Sequence, residues 1–422
     1  MSWETEKGFS VVAKPMRIVH VITRLIVGGA QENTILSCEE LCARGHEVYL
    51  FSGPTTGPEG SLVERASSGR YAYEEFVDLV RAISPLRDLR AMRALQRRFE
   101  QLRPDVVHTH SSKAGALGRI AAAQAGVPLI VHTIHGMSFN RTQLPHVRWA
   151  YALAERYCAR RCHVIVSVAD AMTRQAMAAR IGRPDQYETI RSGIETETFD
   201  PRAAHRGEPP GGAIECTSHR LETGVTGWRR RWMIRDDEVL VGTVARLFAN
   251  KGYEQLIEIT ALAVEQEPRL RFVWVGDGEG RGRYEAELSR RGLANRVTLT
   301  GLVRPEEMPG VLSAIDILAH ASQWEGLPRA VVQAMLMERP AVSFAIDGAP
   351  EVVRPGQTGE LVALGDVRGF AAALVGLARD PKRRAEYGRR GRELCLEAFD
   401  HRVMVDRLEK LYSHLLSTGR GP

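Results

Sequence analysis

Short apolar runs recur along this chain, and the loops that follow several of them carry glycine or serine and open a helix. Met16–Thr23 (MRIVHVIT), Glu47–Phe51, Pro104–His110 (PDVVHTH), Leu129–Thr133 and His163–Val168 (HVIVSV) fill the first half. Glu238–Ala245 (EVLVGTVA), Arg271–Val275, Val297–Thr300, Ile315–Ala319 and Ala341–Ala345 fill the second. Runs this short, separated by helical segments, specify buried parallel strands joined by helical crossovers. Helices are expected over Ala30–Arg44, closed by Gly45, over Ser84–Arg103, from about Val147 to Arg161, and from Arg383 onward. A chain of 422 residues exceeds one ordinary core, so two α/β domains are expected. Between them, Pro201–Gly227 is rich in Gly, Pro and polar residues and aperiodic, and reads as a linker with an insertion.

Four loops at strand ends are candidates for chemistry. In His320–Val353 (HASQWEGLPRAVVQAMLMERPAVSFAIDGAPEVV) the segment Glu325-Gly326-Leu327-Pro328 reads as a helix entry, with Pro328 at the first helical position. A helix opening there aims free N–H groups and partial positive charge at whatever precedes it, which suits a phosphate. Gln333 lies about two turns on, and Asp347-Gly348 makes the next turn. On these residues alone, Glu325 is either a ligand-facing carboxylate or an exposed acid at an ordinary α/β turn. The loop after Glu238–Ala245 holds Arg246 and Lys251, two cations five residues apart before a helix. They can neutralise a diphosphate leaving group as charge grows on it, or be plain surface cations. The loop at Gly28-Gly29 is a weaker signal, since paired glycines usually only make turns. Gly276-Asp277-Gly278 does not keep dinucleotide-loop spacing and reads as a cleft loop.

These residues resemble the retaining, nucleotide-sugar-dependent glycosyltransferases of family 4, and the likeness runs from about Met16 to the C-terminal helix. The family signature is Glu-x7-Glu; here the first is Glu325, and Gln333 stands where the second would be. The resemblance implies an α/β GT-B fold, two facing Rossmann-like domains with an interdomain cleft. It implies residues 1–198 as an acceptor domain, 199–235 as the linker, 236–398 as the nucleotide-sugar domain, and 399–422 as a helix packing back on the first domain. By resemblance Glu325 touches donor-sugar hydroxyls, Gln333 the ribose, and His135 the donor from across the cleft. Arg246 and Lys251 match the family's phosphate-binding pair. Gly28, Gly29, Gly276, Gly326 and Leu327 line the donor, with Val303 near the base. Replacing Glu by Gln forfeits the charge-assisted part of the ribose contact, so weaker anchoring is expected.

His108, His110, His132 and His135 are not expected to hold a metal, on the ground that alternating strand histidines point to different faces. Cys38-x3-Cys42 and Cys158-x3-Cys162 are read as small core residues, not zinc ligands. Six cysteines, widely scattered, fit a reducing cytosol, and residues 1–15 lack a signal-peptide core. The net charge of +6 is compatible with anionic ligands, acidic membranes or nucleic acid. The arginines are spread over several helices without interleaved aromatics, which argues against nucleic acid. In Ser84–Arg103 the stripe Leu86, Leu89, Met92, Leu95 and Phe99 is expected to be buried, leaving five arginines off it. Those form either a solvated basic face or a peripheral contact with anionic lipid at the inner face of a membrane. The expected activity is a metal-independent transfer, with no cofactor, from a nucleotide sugar to a glycan or lipid-linked acceptor in polysaccharide or envelope synthesis. A non-catalytic nucleotide-sugar or glycan-binding paralogue and a sugar-nucleotide epimerase of the same fold are the alternatives.

Overall fold

The computed structural model describes residues 14–56, 60–140, 143–205 and 225–419. Most of the insertion read at 201–227, Cys216 and residues 1–13 therefore lie outside the described residues. Contacts group the chain into two compact units. The first comprises residues up to Thr133, Leu153–Ile165 and the chain from Val405; the second comprises Ile134–Ala152 and Val166–Met404.

The first sheet contains β1 (Arg17–Ile22), β2 (Glu47–Ser52), β3 (Ala72–Glu75), β4 (Val106–His110), β5 (Leu129–Ile134), β6 (Val164–Ser167) and β7 (Tyr187–Thr189). Their order is β3-β2-β1-β4-β5-β6-β7. The second contains β8 (Val239–Val244), β9 (Leu270–Val275), β10 (Val297–Gly301), β11 (Ile317–His320), β12 (Ala341–Phe344) and β13 (Gly359–Val362), in the order β10-β9-β8-β11-β12-β13. Strand pairs run parallel, with β1 between β2 and β4 and β8 between β9 and β11. Each sheet therefore winds outward in both directions from its first strand. That reversal leaves a crevice at the carboxyl ends of the two strands flanking it. β3, β7 and β13 are absent from the sequence reading; they have three or four residues each, sit at or near the sheet edges and are only partly buried.

The strands are apolar because helices cover both faces. In the second unit Val241, Phe272, Trp274, Ile317, Val342 and Phe344 form one cluster with Leu256, Leu374 and Phe370 from the helices. In the first unit the helix Pro85–Leu102 buries Ala91, Leu95, Phe99 and Leu102. Leu86 is 75 % exposed and Leu89 39 %, so the expected stripe is wrong at its start. At about 100° per residue Leu86 lies opposite Leu95, so the inward face Ala91, Leu95, Phe99 and Leu102 turns Leu86 outward.

The helix His401–Thr418 buries Met404, Val405, Leu408 and Tyr412, whereas Val403 is exposed. Tyr412 belongs to the first unit, where its hydroxyl lies 2.5 Å from His108 Nδ1 while His108 Nε2 lies 2.6 Å from Thr133 Oγ1. His20 Nδ1 and His110 Nε2 are 3.0 Å apart. The face argument against a metal fails for His108 and His110, which are two residues apart on β4 and share a face with His20. The three could hold an ion by proximity. Among the described residues they already form a buried network with Tyr412 and Thr133, and burial pushes His20 down to about 3. His132 is on the opposite face with Thr109, 3.0 Å from its hydroxyl.

Candidate active site

Lys251 and Glu325 come from loops that leave β8 and β11, the two strands flanking the reversal point of the second sheet. That topology brings them together: Lys251 Nζ donates to Glu325 Oε1 at 2.5 Å. After β8 the chain makes a single tight turn, Ala249–Lys251, and enters the helix Tyr253–Gln266 through Gly252 at φ 75°. A side chain on Gly252 would stand 2.0 Å from the Ala321 carbonyl oxygen, so conformation and space both demand glycine there.

Glu325 is held from several sides. Its backbone N–H donates to Asp347 Oδ2 at 2.7 Å, and Ser322 Oγ donates to Oε1 at 2.9 Å. His320 Nε2 stands 3.6 Å from the same oxygen, with His320 Nδ1 2.9 Å from Ser343 Oγ. Burial alone would raise the Glu325 pKa, but Lys251 and His320 outweigh it, so the carboxyl is held well below its ordinary range. Asp347 is fixed in turn by Gln175 Nε2, which donates to its Oδ1 at 2.5 Å. His320, Ser322 and Asp347 were not singled out from sequence. His320 ends a strand and Asp347 looked like an ordinary Asp-Gly turn; their role depends on contacts across three loops.

Gly326 needs its missing side chain for a different reason. A Cβ there would fall 1.9 Å from the carbonyl oxygen of His135. His135 follows β5 and belongs to the same compact unit as Glu325. Burial, with Arg329 nearby, lowers its pKa to about 3, so it is neutral at pH 7. Leu327 is buried, and the helix runs over Arg329–Leu336 with Pro328 as the residue before it, one position earlier than expected. Gln333 is consequently just over one turn into the helix, nearer its mouth than the sequence implied.

Arg246 is exposed, its guanidinium carbon 4.8 Å from the centre of the Phe248 ring. Gly276 adopts φ 137°, and a Cβ on it would meet the Ala245 carbonyl oxygen at 2.2 Å. The loops after β8 and β9 are laced together by Leu247 N–H to Asp277 O (3.0 Å) and Gly280 N–H to Leu247 O (2.9 Å). Val303 is half-buried just after β10. Gly28 and Gly29 are in the other unit, where Gly28 is extended and Gly29 starts the helix Gly29–Ala43. Among the described residues no helix is long and apolar enough to cross a membrane.

Comparison with known proteins gives this geometry a family. Residues 225–394 match the model of glycosyl transferases group 1, and residues 28–193 match the glycosyl transferase 4-like domain. A UDP-Gal:alpha-D-GlcNAc-diphosphoundecaprenol alpha-1,3-galactosyltransferase of Escherichia coli is 27 % identical, aligned over 94 % of this chain and 96 % of its own. An alpha-D-kanosaminyltransferase of Streptomyces kanamyceticus is 26 % identical over 73 % of this chain and 77 % of its own. Among solved structures, Anabaena HepE in complex with UDP superposes with a TM-score of 0.76 at 21 % identity, covering 94 % of this chain and all of that one. That likeness carries the fold, which is GT-B with two Rossmann-like domains. The chain belongs to the group 1 glycosyltransferases.

Proposed function

We propose that this glycosyltransferase moves a sugar from a nucleotide-diphosphate sugar to a glycan or lipid-linked acceptor, retaining anomeric configuration and using no metal. The observation that carries the reading is the Lys251–Glu325 pair at the mouth of the helix Arg329–Leu336. In this reading residues 236–398 hold the donor and residues 1–198 the acceptor. The donor diphosphate lies against Arg246, Lys251 and the first N–H groups beyond Leu327. Charge builds on the leaving β-phosphate as the glycosidic bond breaks, and fixed cations in a partly desolvated site stabilise that charge without reorganising. Arginine and lysine supply the positive charge that a divalent ion would otherwise bring.

Glu325 is ionised and immobilised by Asp347 and Ser322, so it can accept hydrogen bonds from donor-sugar hydroxyls in a fixed direction. Gln333 offers a carbonyl and an amide to the ribose; its side chain bonds to none of the described residues. His135, neutral, can donate to or accept from the sugar. Attack on the same face as departure, with the leaving phosphate taking the acceptor proton, gives retention. The E. coli relative, named for UDP-Gal as donor and a GlcNAc-diphosphoundecaprenol acceptor, supports a nucleotide-sugar donor and a lipid-linked acceptor.

A peripheral cytoplasmic location at an anionic membrane is part of the same proposal. Val77, Ile83 and Leu86 are 69 %, 76 % and 75 % exposed, beside Arg87 and Arg90, which suits shallow insertion with headgroup contact. Product analysis by proton NMR, with EDTA present, tests the chemistry. A product with the donor's anomeric configuration is expected; an inverted product, or a reaction abolished by EDTA and restored by a divalent ion, overturns it.

A further inference from the structure

The opposite end of the second sheet carries positive charge that the proposed reaction does not use. Strands β8, β9, β11 and β12 begin there, and β8 is six residues long. At about 3.3 Å per residue this places their starts roughly 20 Å from the Lys251–Glu325 pair. A cavity of about 480 Å³ opens at this edge, and Arg229, Arg269, Arg339, Arg379 and Arg384 line it.

The acids in and beside the cavity are mostly paired already, with three of the cavity's own arginines or with Arg235 and Arg271. Asp316 Oδ2 accepts from Arg229 Nη1 at 3.1 Å and from Leu240 N–H at 2.7 Å. Glu238 accepts from Arg235 N–H at 2.9 Å and lies 3.5 Å from Arg271. Asp237 pairs with Arg235 at 3.2 Å, and Asp236 is exposed at the rim. Glu267, next to the cavity, takes both Arg269 (2.9 Å) and Arg379 (3.1 Å).

Arg339 and Arg384 are left over. Arg384 Nη1 donates to the carbonyls of Leu377 and Ala378, at 2.6 and 2.7 Å, and has no acid in contact among the described residues. Arg339 Nε is buried without a hydrogen-bond partner among them. Burial lowers the pKa of both guanidinium groups and outweighs the attraction of Asp316 for each, of Glu338 for Arg339 and of Asp380 for Arg384, while Arg229 and Arg384 add repulsion at Arg339. A partly desolvated guanidinium with no acid at ion-pair distance is costly, and an anion that supplies two acceptor oxygens reduces that cost.

We propose that this cavity is a second anion site, separate from the donor site, which takes a phosphate group through Arg339 and Arg384. Inorganic phosphate and the phosphate of a small sugar phosphate share this chemistry. The test uses the full chain carrying Arg246→Ala and Lys251→Ala, which removes the cations of the donor site. Isothermal titration with inorganic phosphate, and separately with glucose 1-phosphate, should still show one site. Tighter binding of glucose 1-phosphate identifies a phosphorylated metabolite as the occupant, and equal binding identifies the free ion. Adding Arg339→Met should weaken binding at least tenfold and leave folding intact, because it removes a buried charge and keeps an unbranched side chain. Arg384→Gln provides an independent second variant. The proposal is overturned if the doubly substituted chain binds neither probe, or if neither Arg339→Met nor Arg384→Gln weakens binding.

Discussion

Lys251 Nζ lies 2.5 Å from Glu325 Oε1 across 74 residues of sequence. β8 and β11 are neighbours in the sheet, so the loops that leave their carboxyl ends meet. This pair is largely shielded from water, with side-chain exposures of 14 % and 21 %. Removing one partner leaves the other desolvated.

The pair should show itself in the pH dependence of stability. The folded-state pKa of Glu325 is depressed below its ordinary 4.5, in spite of burial, chiefly by Lys251. Folding therefore favours the ionised form. The stabilisation is fully present above the ordinary carboxylate pKa and is lost as pH falls from there towards the folded value. Lys251→Ala removes the largest of the interactions that oppose burial and leaves His320, so the carboxyl pKa rises. Urea unfolding should find the variant about 3 kcal/mol less stable than wild type near pH 7, with the gap narrowing below about pH 4.5. A gap that is constant across the acid range would contradict the pairing.

Gly326→Ala should be far more damaging than Gly136→Ala. A Cβ at 326 meets the His135 carbonyl oxygen at 1.9 Å, whereas one at 136 meets nothing within 4 Å. Backbone must move at the first position, at a cost of about 1–3 kcal/mol, and the Glu325 loop moves with it. Thermal melting and donor KM should both change for Gly326→Ala. Equal behaviour of the two variants would show that the close approach is absent.

Gln333→Glu should tighten the donor. A charged acceptor on a ribose hydroxyl is worth about 1 kcal/mol more than a neutral one, so KM for the nucleotide sugar should fall about fivefold with kcat little changed. A raised KM would place Gln333 away from the ribose.

Tyr412→Phe should destabilise the chain by about 1–3 kcal/mol, because it withdraws the hydroxyl from a fully buried His108. Urea unfolding measures this. No change would mean that the His108–Tyr412 contact adds nothing net.

The strands that build both sheets were legible because they are dense in Val, Ile and Leu and end in loops bearing Gly or Ser. The edge strands Ala72–Glu75, Tyr187–Thr189 and Gly359–Val362 were not, since each is half-exposed and too short to show a period. Glu325 and Lys251 could be named singly, but their contact depends on strand order, which the sequence does not display. His320 and Asp347 were missed for the same reason. Leu86, Leu89, Met92 and Leu95 recur every three residues, which drifts by about 60° per step in an α-helix, so Leu86 falls opposite Leu95 and the inward face is Ala91, Leu95, Phe99 and Leu102; a three-residue spacing was taken for a single face. His108 and His110 were misread because their separation of two was treated as an alternation of faces.

The most direct test of the central claim is release of nucleoside diphosphate from UDP-, GDP- and ADP-sugars, with a glycan or lipid-linked acceptor and EDTA present, by wild type and Lys251→Ala. The account predicts acceptor-dependent release from one donor class by wild type. It predicts a rate about 10²-fold or more lower in the variant at saturating donor, the scale seen when one transition-state charge partner is removed, with a native circular dichroism spectrum. Equal rates in the two proteins, or no release from any donor, would contradict it.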